Sequence, residues 1–459
     1  LIRVSEIPGW VKEHPVRAGA MAGWFQQAAG AGIGILLVPA LARLLSPAEC
    51  GLWFAFQGTV AIAGLADLGL GFAISRQASY CLGQREGDRA EGDFLDFGAG
   101  GIGLSSLSAH GALLYRALAL VAFLGGLLIY EWVASHTRML EGVTGDPRQV
   151  FYLMLVVPVC MLLANRANSL LVGTGNMFAA RLASGLFMLC QGFAVLVAAL
   201  LTKDLLWMAA ASATLAVIYL AAITVVARKI VPGLAAGHST GINMRLLRRL
   251  GRISGPVGLV NIGGYLVNAI QVPAVGAMMG PTLVAPFYLA QRIGLFLSTA
   301  ALQTHHSRLP VFTRLYAGGN YDEALVMMNR GLKIATASIF GAALVFVCFG
   351  PGIAWIFGKN LVLPRELLAL MALDYVLMGS AVIWAQYIMA GGRNPFTLTT
   401  LLNGGLNIFF LSQFVPRWGL IGIPLSAIIS GLLSNYGYII YQVVRFRRSL
   451  PVARTQAAG

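Results

Sequence analysis

The residues of this chain that could do chemistry are charged and amide side chains placed inside long apolar runs. Ionised groups at hydrocarbon depth are costly and persist where they pair, bind a ligand or line water. Arg292 stands near the middle of one such run, ten residues from either end and directly after Gln291. Arg166 lies in NRANS with Asn165, Asn168 and Ser169 beside it, a basic and amide-rich patch suited to phosphate. Arg76 and Arg181 extend a basic lane at the ends of runs, where anchoring a loop is the simpler role. Arg43 and Arg116 lie close enough to run ends to snorkel. Asn261, Tyr265 and Asn268 are spaced four and three apart, so they share one helical face, and Gln27 matches Asn261 in an earlier run. Such a stripe can hydrogen-bond a hydroxyl-rich ligand or tie helix to helix. Asp67, flanked by Gly64 and Gly71 at helical spacing, is expected to meet a closely packed neighbour and either pair with an arginine or carry a proton. Asp374 is its counterpart as a partner for Arg292 or an ion-coupling group.

Other chemistry finds no support. The five cysteines, Cys50, Cys81, Cys160, Cys190 and Cys348, are scattered without a CxxC pair or metal spacing. Nucleophile-elbow, HExxH, Walker A and dinucleotide fingerprints are missing from any suitable context. His305 and His306 are adjacent, and neighbours on a helix point about 100° apart, so they do not readily share a metal. A membrane glycosyltransferase or polymerase would carry acidic groups on a sizeable outer loop, whereas the longest outer loop expected here has about 16 residues. An enzyme, a cofactor and a metal are therefore not expected.

The elements that position these residues follow from composition. The 459 residues are 58% hydrophobic and only 11% charged, and the mean hydropathy of +0.77 leaves far more apolar surface than a water-soluble globule can cover. A bilayer-spanning helix needs about 20 apolar residues, and the long runs without strand-like alternation mean helices. Spans are expected at 18–45, 51–75, 113–133, 150–173, 182–201, 205–227, 253–279, 282–302, 333–356, 366–390, 396–415 and 420–442. Gly19, Gly23, Gly30 and Gly34 sit at spacings that let helix backbones approach. The N-terminal apolar run, of about 27 residues, is too long for a signal-peptide core and is read as the first span.

A net charge of +15 would suggest nucleic acid in a soluble protein. Here it sorts by topology. With the N-terminus cytoplasmic, 22 of the 32 Lys and Arg fall on inner segments and 6 on outer loops (Arg138, Arg148, Lys203, Lys359, Arg365, Arg417). That bias follows the positive-inside rule and puts both termini in the cytoplasm. The remaining role of the charge is affinity for anionic lipid of the inner leaflet, and no nucleic-acid partner is expected.

The chain also looks duplicated. VPALARLLSPAECGLWFAFQ at 38–57 aligns without a gap to VPAVGAMMGPTLVAPFYLAQ at 272–291. Val38/Val272, Pro39/Pro273, Ala40/Ala274, Pro47/Pro281 and Gln57/Gln291 are identical, with aromatic pairs at Trp53/Phe287 and Phe54/Tyr288. Each copy reads as helix end, tight turn and helix start, and Pro39 and Pro273 either bend or end their helices. A second echo, LLVGTGNMF at 170–178 and IMAGGRNPF at 388–396, has an offset of 218 instead of 234, which longer loops at 76–112 and 134–149 account for. The organisation expected is an N-terminal segment 1–17, a lobe 18–227, a basic linker 228–252, a second lobe 253–442 and a basic tail 443–459. The linker's MRLLRRLGR portion suits an amphipathic surface helix. The fold class is all-α integral membrane, with twelve transmembrane helices in two six-helix lobes. An even number of spans per repeat relates the lobes by a pseudo-twofold axis along the membrane normal, with a cleft between them.

RLLSPAECGLWFAFQGTVAIAGLADLGLG at 43–71, LPVFTRLYAGGNYDEA at 309–324 and GLIGIPLSAIIS at 419–430 resemble the polysaccharide-exporting flippases of the multidrug/oligosaccharidyl-lipid/polysaccharide (MOP) superfamily. The resemblance covers nearly the whole chain and rests on structural punctuation. It implies a MATE-like fold that flips undecaprenyl-diphosphate-linked oligosaccharide from the inner to the outer leaflet of the bacterial inner membrane by alternating access, for surface polysaccharide such as O-antigen or exopolysaccharide. On that reading Arg292, Arg166 and Arg76 meet the diphosphate, while Gln27, Asn261, Tyr265, Asn268 and Gln291 meet the glycan. Asp67 and Asp374 are candidates for H+ or Na+ coupling, and a polysaccharide polymerase and glycosyltransferases are possible partners. A multidrug exporter of the same superfamily would favour acids in its first lobe, and span one has none. A lipid II flippase usually has fourteen spans, and 17 residues follow span twelve here. A sugar-polymerising membrane enzyme is the reading from a different class.

Overall fold

The computed structural model describes residues 15–83, 104–140, 146–231, 243–306, 312, 315, 320–390 and 394–449, and these are almost wholly helical, with no strand among them. The loop motif at 309–324, most of the 84–103 loop, residues 232–242 of the linker and both chain ends expected as segments of their own lie mainly outside the described residues. The helices are α1 (Pro15–Leu44), α2 (Pro47–Gly64), α3 (Leu70–Gly83), α4 (Leu104–His136), α5 (Pro147–Gly173), α6 (Met177–Thr202) and α7 (Leu205–Ile230). They continue with α8 (Met244–Asn268), α9 (Gln271–Met279), α10 (Val284–His306), α11 (Tyr321–Phe357), α12 (Arg365–Ala390), α13 (Thr397–Trp418), α14 (Gly422–Gly431) and α15 (Gly437–Ser449).

Among the described residues nine helices are long and apolar enough to cross a membrane, or ten when the bent pair α8 and α9 counts as one span. Two features separate this from the expected twelve. The second span is interrupted by a 3-10 turn at Leu65–Asp67, where Leu68 and Gly69 take φ of 45° and 71°. The last spans run together as Thr397–Arg448, a stretch of 52 residues that at 1.5 Å per residue is far longer than a hydrocarbon core of about 30 Å. Gly419, at φ 60°, breaks that run, and its left-handed backbone suits glycine.

Both copies of the duplicated stretch form the helix–turn–helix read from their prolines. In the first, Ser46 and Glu49 build a reciprocal cap before α2. The Ser46 N–H donates to Glu49 Oε2 at 3.1 Å and the Glu49 N–H to Ser46 Oγ at 3.2 Å, a capping box that satisfies two donors the helix leaves open. Ser46→Ala is expected to cost about 1 kcal/mol, read as a lower midpoint for thermal unfolding of the purified protein. In the second copy, Gly280 at φ 88° makes the turn and Pro281 opens a 3-10 turn before α10.

The chain divides into two compact units, Leu1–Asn261 and Ile262–Gly459. In the first, α5 is the central helix, carrying α2, α3 and α4 on one side and α6 and α7 on the other, and α1 packs along α6. Small residues make that last contact: a Cβ on Gly185 would fall 2.7 Å from Phe25, and one on Gly192 would fall 2.2 Å from Ile33. Gly19, Gly23 and Gly30 of α1 face Met177, Arg181 and Met188 of α6 in the same way. The second unit repeats the plan around α12, which carries α10 and α11 on one side and α14 and α15 on the other. Large apolar side chains such as Leu128, Leu201 and Leu398 point outward, as lipid requires.

The boundary between units falls inside α8. Leu246 and Leu250 of the basic MRLLRRLGR stretch are buried in the first unit's core beside Ile74 and Leu107. The Asn243 N–H donates to His110 Nε2 at 2.8 Å. These residues therefore form the start of a packed helix instead of an amphipathic segment lying free on the membrane surface, because their leucines find a core within reach.

Candidate functional site

Pro273 sets the local geometry in the second unit. It has no N–H to give the carbonyl of Ala269, and its ring crowds that turn, so the span breaks between α8 and α9 with a bend of 44°. Side-chain amides bond to carbonyls and to one another beside the break. Gln291 Nε2 donates to the Asn268 carbonyl at 3.1 Å and to Gln271 Oε1 at 3.2 Å. Gln271 Nε2 donates to the Val267 carbonyl at 3.1 Å, and Asn268 Nδ2 to the Gly264 carbonyl at 3.1 Å. Gln291 and Asn268 thus serve the bend through these bonds. In the same stripe Tyr265 is buried, whereas Asn261 is exposed. Gln27 of α1 is also exposed.

Arg292 follows Gln291 on α10. Its Cζ lies 4.7 Å from the centre of the Tyr288 ring, one turn earlier, a cation–π contact that supports the guanidinium from one face. Its Nε is buried and has no hydrogen-bond partner. The ion pair expected with Asp374 is not formed among the described residues. Asp374, on α12, is 4% exposed and its Oδ1 likewise lacks a partner. The two helices meet tightly next to both residues: a Cβ on Gly294 would stand 2.1 Å from the Tyr375 ring. Arg292 is therefore a held cation with unused donors, and Asp374 a buried acid with an unused acceptor.

In the first unit Asp67, read as a partner for an arginine or a proton carrier beside a close neighbour, accepts from a phenol. Tyr115 donates its hydroxyl to Asp67 Oδ1 at 2.6 Å, and the Gly71 N–H approaches Oδ2 at 3.4 Å. Ser169 Oγ, which donates to the Asn165 carbonyl at 2.6 Å, would stand 3.0 Å from a Cβ on Gly71, so the close neighbour expected from the glycine spacing is present. Tyr115→Phe leaves that carboxylate short of its strongest donor. A loss of about 1–3 kcal/mol is expected, measured as a lower unfolding midpoint in detergent, with Ser79→Ala on α3 as the milder comparison.

The NRANS patch divides. Asn168 Nδ2 donates to the Tyr219 hydroxyl at 2.9 Å, and that hydroxyl is 2.9 Å from Ser184 Oγ, which locks α5, α6 and α7 together. Arg166 is half-buried on the same helix. Arg181 donates to the Gly19 carbonyl at 3.0 Å and staples α6 to α1, the anchoring role. Arg76 is exposed on α3, and Arg43 and Arg116 are exposed on α1 and α4. Gln271, Tyr115, Tyr219 and Ser184 were not singled out from the sequence. Gln271 alone had a signal, standing two residues before the proline whose bend it serves. Among the described residues no cluster of His, Cys, Asp or Glu could hold a metal.

The chain shares its helical fold with solved structures described as transporters of the MOP superfamily and as a lipid II flippase. The chain is similar to a multidrug-resistance MATE-family transporter of that superfamily in an inward-facing conformation, at 17% identity and a TM-score of 0.66, covering 92% of this chain and 96% of that one. It is as similar to the lipid II flippase MurJ in an inward closed conformation, at 13% identity and a TM-score of 0.66, covering 93% and 87%. A MOP-superfamily transporter from Pyrococcus furiosus, described for the reverse polarity of its binding pocket, matches at 17% identity and a TM-score of 0.60, covering 95% and 96%. No family model and no curated protein matches the chain.

Proposed function

We propose that this transporter-fold protein is a flippase for a polyprenyl-diphosphate-linked oligosaccharide, acting in the bacterial cytoplasmic membrane with both termini in the cytoplasm and twelve crossings. The observation that carries the reading is Arg292, a cation in the middle of a span with a buried, unpartnered Nε and no carboxylate pair among the described residues. A guanidinium kept unpaired at hydrocarbon depth is costly and is suited to a ligand that brings its own negative charge, such as a diphosphate. The exposed amides of Gln27 and Asn261 are suited to the hydroxyls of a glycan and Tyr265 is proposed with them, while the Asn268 and Gln291 amides hold the bend. Arg76 is proposed as the first cationic contact on the cytoplasmic side. The lipid tail stays in the bilayer while the polar part crosses the membrane, so no bond is made or broken. The fold shared with a lipid II flippase supports this class of cargo. Surface-polysaccharide synthesis, beside a polymerase and glycosyltransferases, is the process such a cargo serves.

A second reading has its own observation. Asp374, buried with an unpartnered oxygen, is suited to an ion-coupled exporter of organic cations, and the fold shared with MATE transporters supports it equally. In the first reading Asp374 and Asp67 are the candidates for H+ or Na+ coupling.

Complementation separates the two. In a polysaccharide-flippase-null bacterium with a matched glycan pathway, the wild type is expected to restore surface glycan, with Arg292→Ala accumulating lipid-linked precursor and Arg292→Lys partly active. Resistance to cationic drugs without glycan rescue would replace the flippase reading by the exporter.

A further inference from the structure

At one end of the first unit an apolar pocket lies beside an exposed ion pair, and one side chain joins the two. The pocket has a volume of about 540 Å³ and is lined by Phe123 of α4, Tyr152 and Val156 of α5, and Trp207 and Ala210 of α7, with Gln149 adding an amide. α4 and α7 each pack on α5, so α5 forms the floor between them. Leu120, Leu124 and Leu128 on α4 and Trp207 on α7 are exposed, so the pocket opens on a face that lipid covers.

Tyr152 has its ring in the wall and its hydroxyl at the rim. Arg148 Nε donates to that hydroxyl at 2.8 Å, and the hydroxyl donates to Glu131 Oε1 at 3.2 Å. Arg148 Nη2 closes the triangle by donating to the same Oε1 at 2.7 Å. Both charged side chains stay more than half exposed, Arg148 at 58% and Glu131 at 54%. Among the described residues these bonds leave Glu131 Oε2 and Arg148 Nη1 open. Phe123 precedes Glu131 by eight residues on α4, and Val156 follows Arg148 by eight on α5, about 12 Å along either helix. One leaflet's hydrocarbon is about 15 Å deep. The ion pair therefore stands over the pocket at the level of a headgroup, a level that also suits Trp132, exposed next to Glu131.

An ion pair at the mouth of an apolar pocket selects among amphiphiles by charge. An anionic head gains Arg148 and is opposed by Glu131. A head with both signs adds a phosphate to the guanidinium and a cation to the carboxylate without separating the pair. A primary ammonium also donates a hydrogen bond to Glu131 Oε2, which a quaternary one, having no N–H, does not.

We propose that this pocket binds a phospholipid of the ethanolamine class, its phosphate on Arg148, its ammonium on Glu131 and one acyl chain between Phe123, Val156 and Trp207. The site lies wholly within the first unit, makes no use of Arg292 or the other cargo residues, and holds the lipid as a fixed part of the lobe. The orientation inferred from the charge bias assigns it to the outer leaflet, and the binding itself does not rest on that orientation.

The test is native mass spectrometry of the full-length protein released from nanodiscs of equimolar phosphatidylethanolamine, phosphatidylcholine and phosphatidylglycerol with the same acyl chains. The wild type is expected to retain phosphatidylethanolamine about fivefold over each of the others, the scale of an exposed ion pair. Glu131→Gln is expected to bring the ratio to phosphatidylglycerol to parity or below, and Glu131→Asp to keep part of the preference. Ala210→Trp, which fills the pocket and leaves the ion pair intact, is expected to lower retention of all three lipids, so a folding failure of the Gln variant leaves the site testable. Equal retention of the three by the wild type overturns the proposal, as does an unchanged preference in folded Glu131→Gln or unchanged retention in folded Ala210→Trp. Release as a lipid-free dimer gives the face to a second copy, and displacement of phosphatidylethanolamine by an equimolar polyprenyl diphosphate gives it to cargo; either result also overturns the site.

Discussion

Arg292→Ala is expected to lower translocation of a diphosphate-linked glycan by tens to thousands of fold while leaving insertion and yield near those of the wild type. Truncating one partner of a desolvated, hydrogen-bonded charge pair costs about 2–5 kcal/mol, and each 1.4 kcal/mol is about tenfold. The free protein loses little, because Arg292 makes no ion pair among the described residues and its stabilising contact is the Tyr288 ring at 4.7 Å. Removing a cation from hydrocarbon depth even relieves a cost. Arg292→Lys keeps the charge and loses the planar fork, so an intermediate rate is expected. The paired measurements are accumulated lipid-linked precursor and the thermal midpoint of the purified protein. A loss of rate together with a collapse of the midpoint would make Arg292 a structural residue.

The second large effect is structural and lies in the first unit. Gly173→Ala would put a Cβ 2.3 Å from the Ser75 carbonyl oxygen and 2.9 Å from Ser75 Cα. The obstacle is backbone, so α3 and α5 have to move apart instead of a side chain turning aside. The same shift opens the bond that Ser79 Oγ makes to the Gly173 carbonyl at 2.8 Å. Overpacking usually costs about 1–3 kcal/mol, and a rigid obstacle together with a lost hydrogen bond puts this variant at the upper end. A marked fall in unfolding midpoint and in membrane yield is expected. At Gly192, where the obstacle is the Ile33 side chain, the loss is expected to be smaller and Ile33→Ala to restore it. Gly125→Ala, with nothing within 4 Å of the new Cβ, is expected to leave the midpoint unchanged or raise it slightly.

The helical membrane class, the two-proline punctuation and the small-residue face of α1 were legible because each follows from local pattern: apolar runs, proline without an N–H, glycine at helical spacing. The depth of Arg292 was legible for the same reason, being a matter of counting residues along one run. Partners were not. Asp67 was read as a partner for an arginine or as a proton carrier, and its partner Tyr115 lies 48 residues away, because nothing in a single sequence says which helix faces which. Gln291 was read as a ligand contact from its place in the repeat, yet its amide closes the bend left by Pro273, a demand visible only when the break at Ala269–Ile270 is seen. The basic stretch at 244–252 looked amphipathic because arginines alternate with leucines, and the leucines turned out to have a core to enter.

The most direct test of the central claim is translocation in proteoliposomes. Purified protein is reconstituted with a fluorescent polyprenyl-diphosphate oligosaccharide, and the label still accessible to a membrane-impermeant glycosidase is followed with time. The account predicts rapid transfer by the wild type and transfer near the protein-free rate with Arg292→Ala. Wild-type transfer no faster than protein-free vesicles, in preparations that do move an organic cation, would contradict it and assign the protein to cation export.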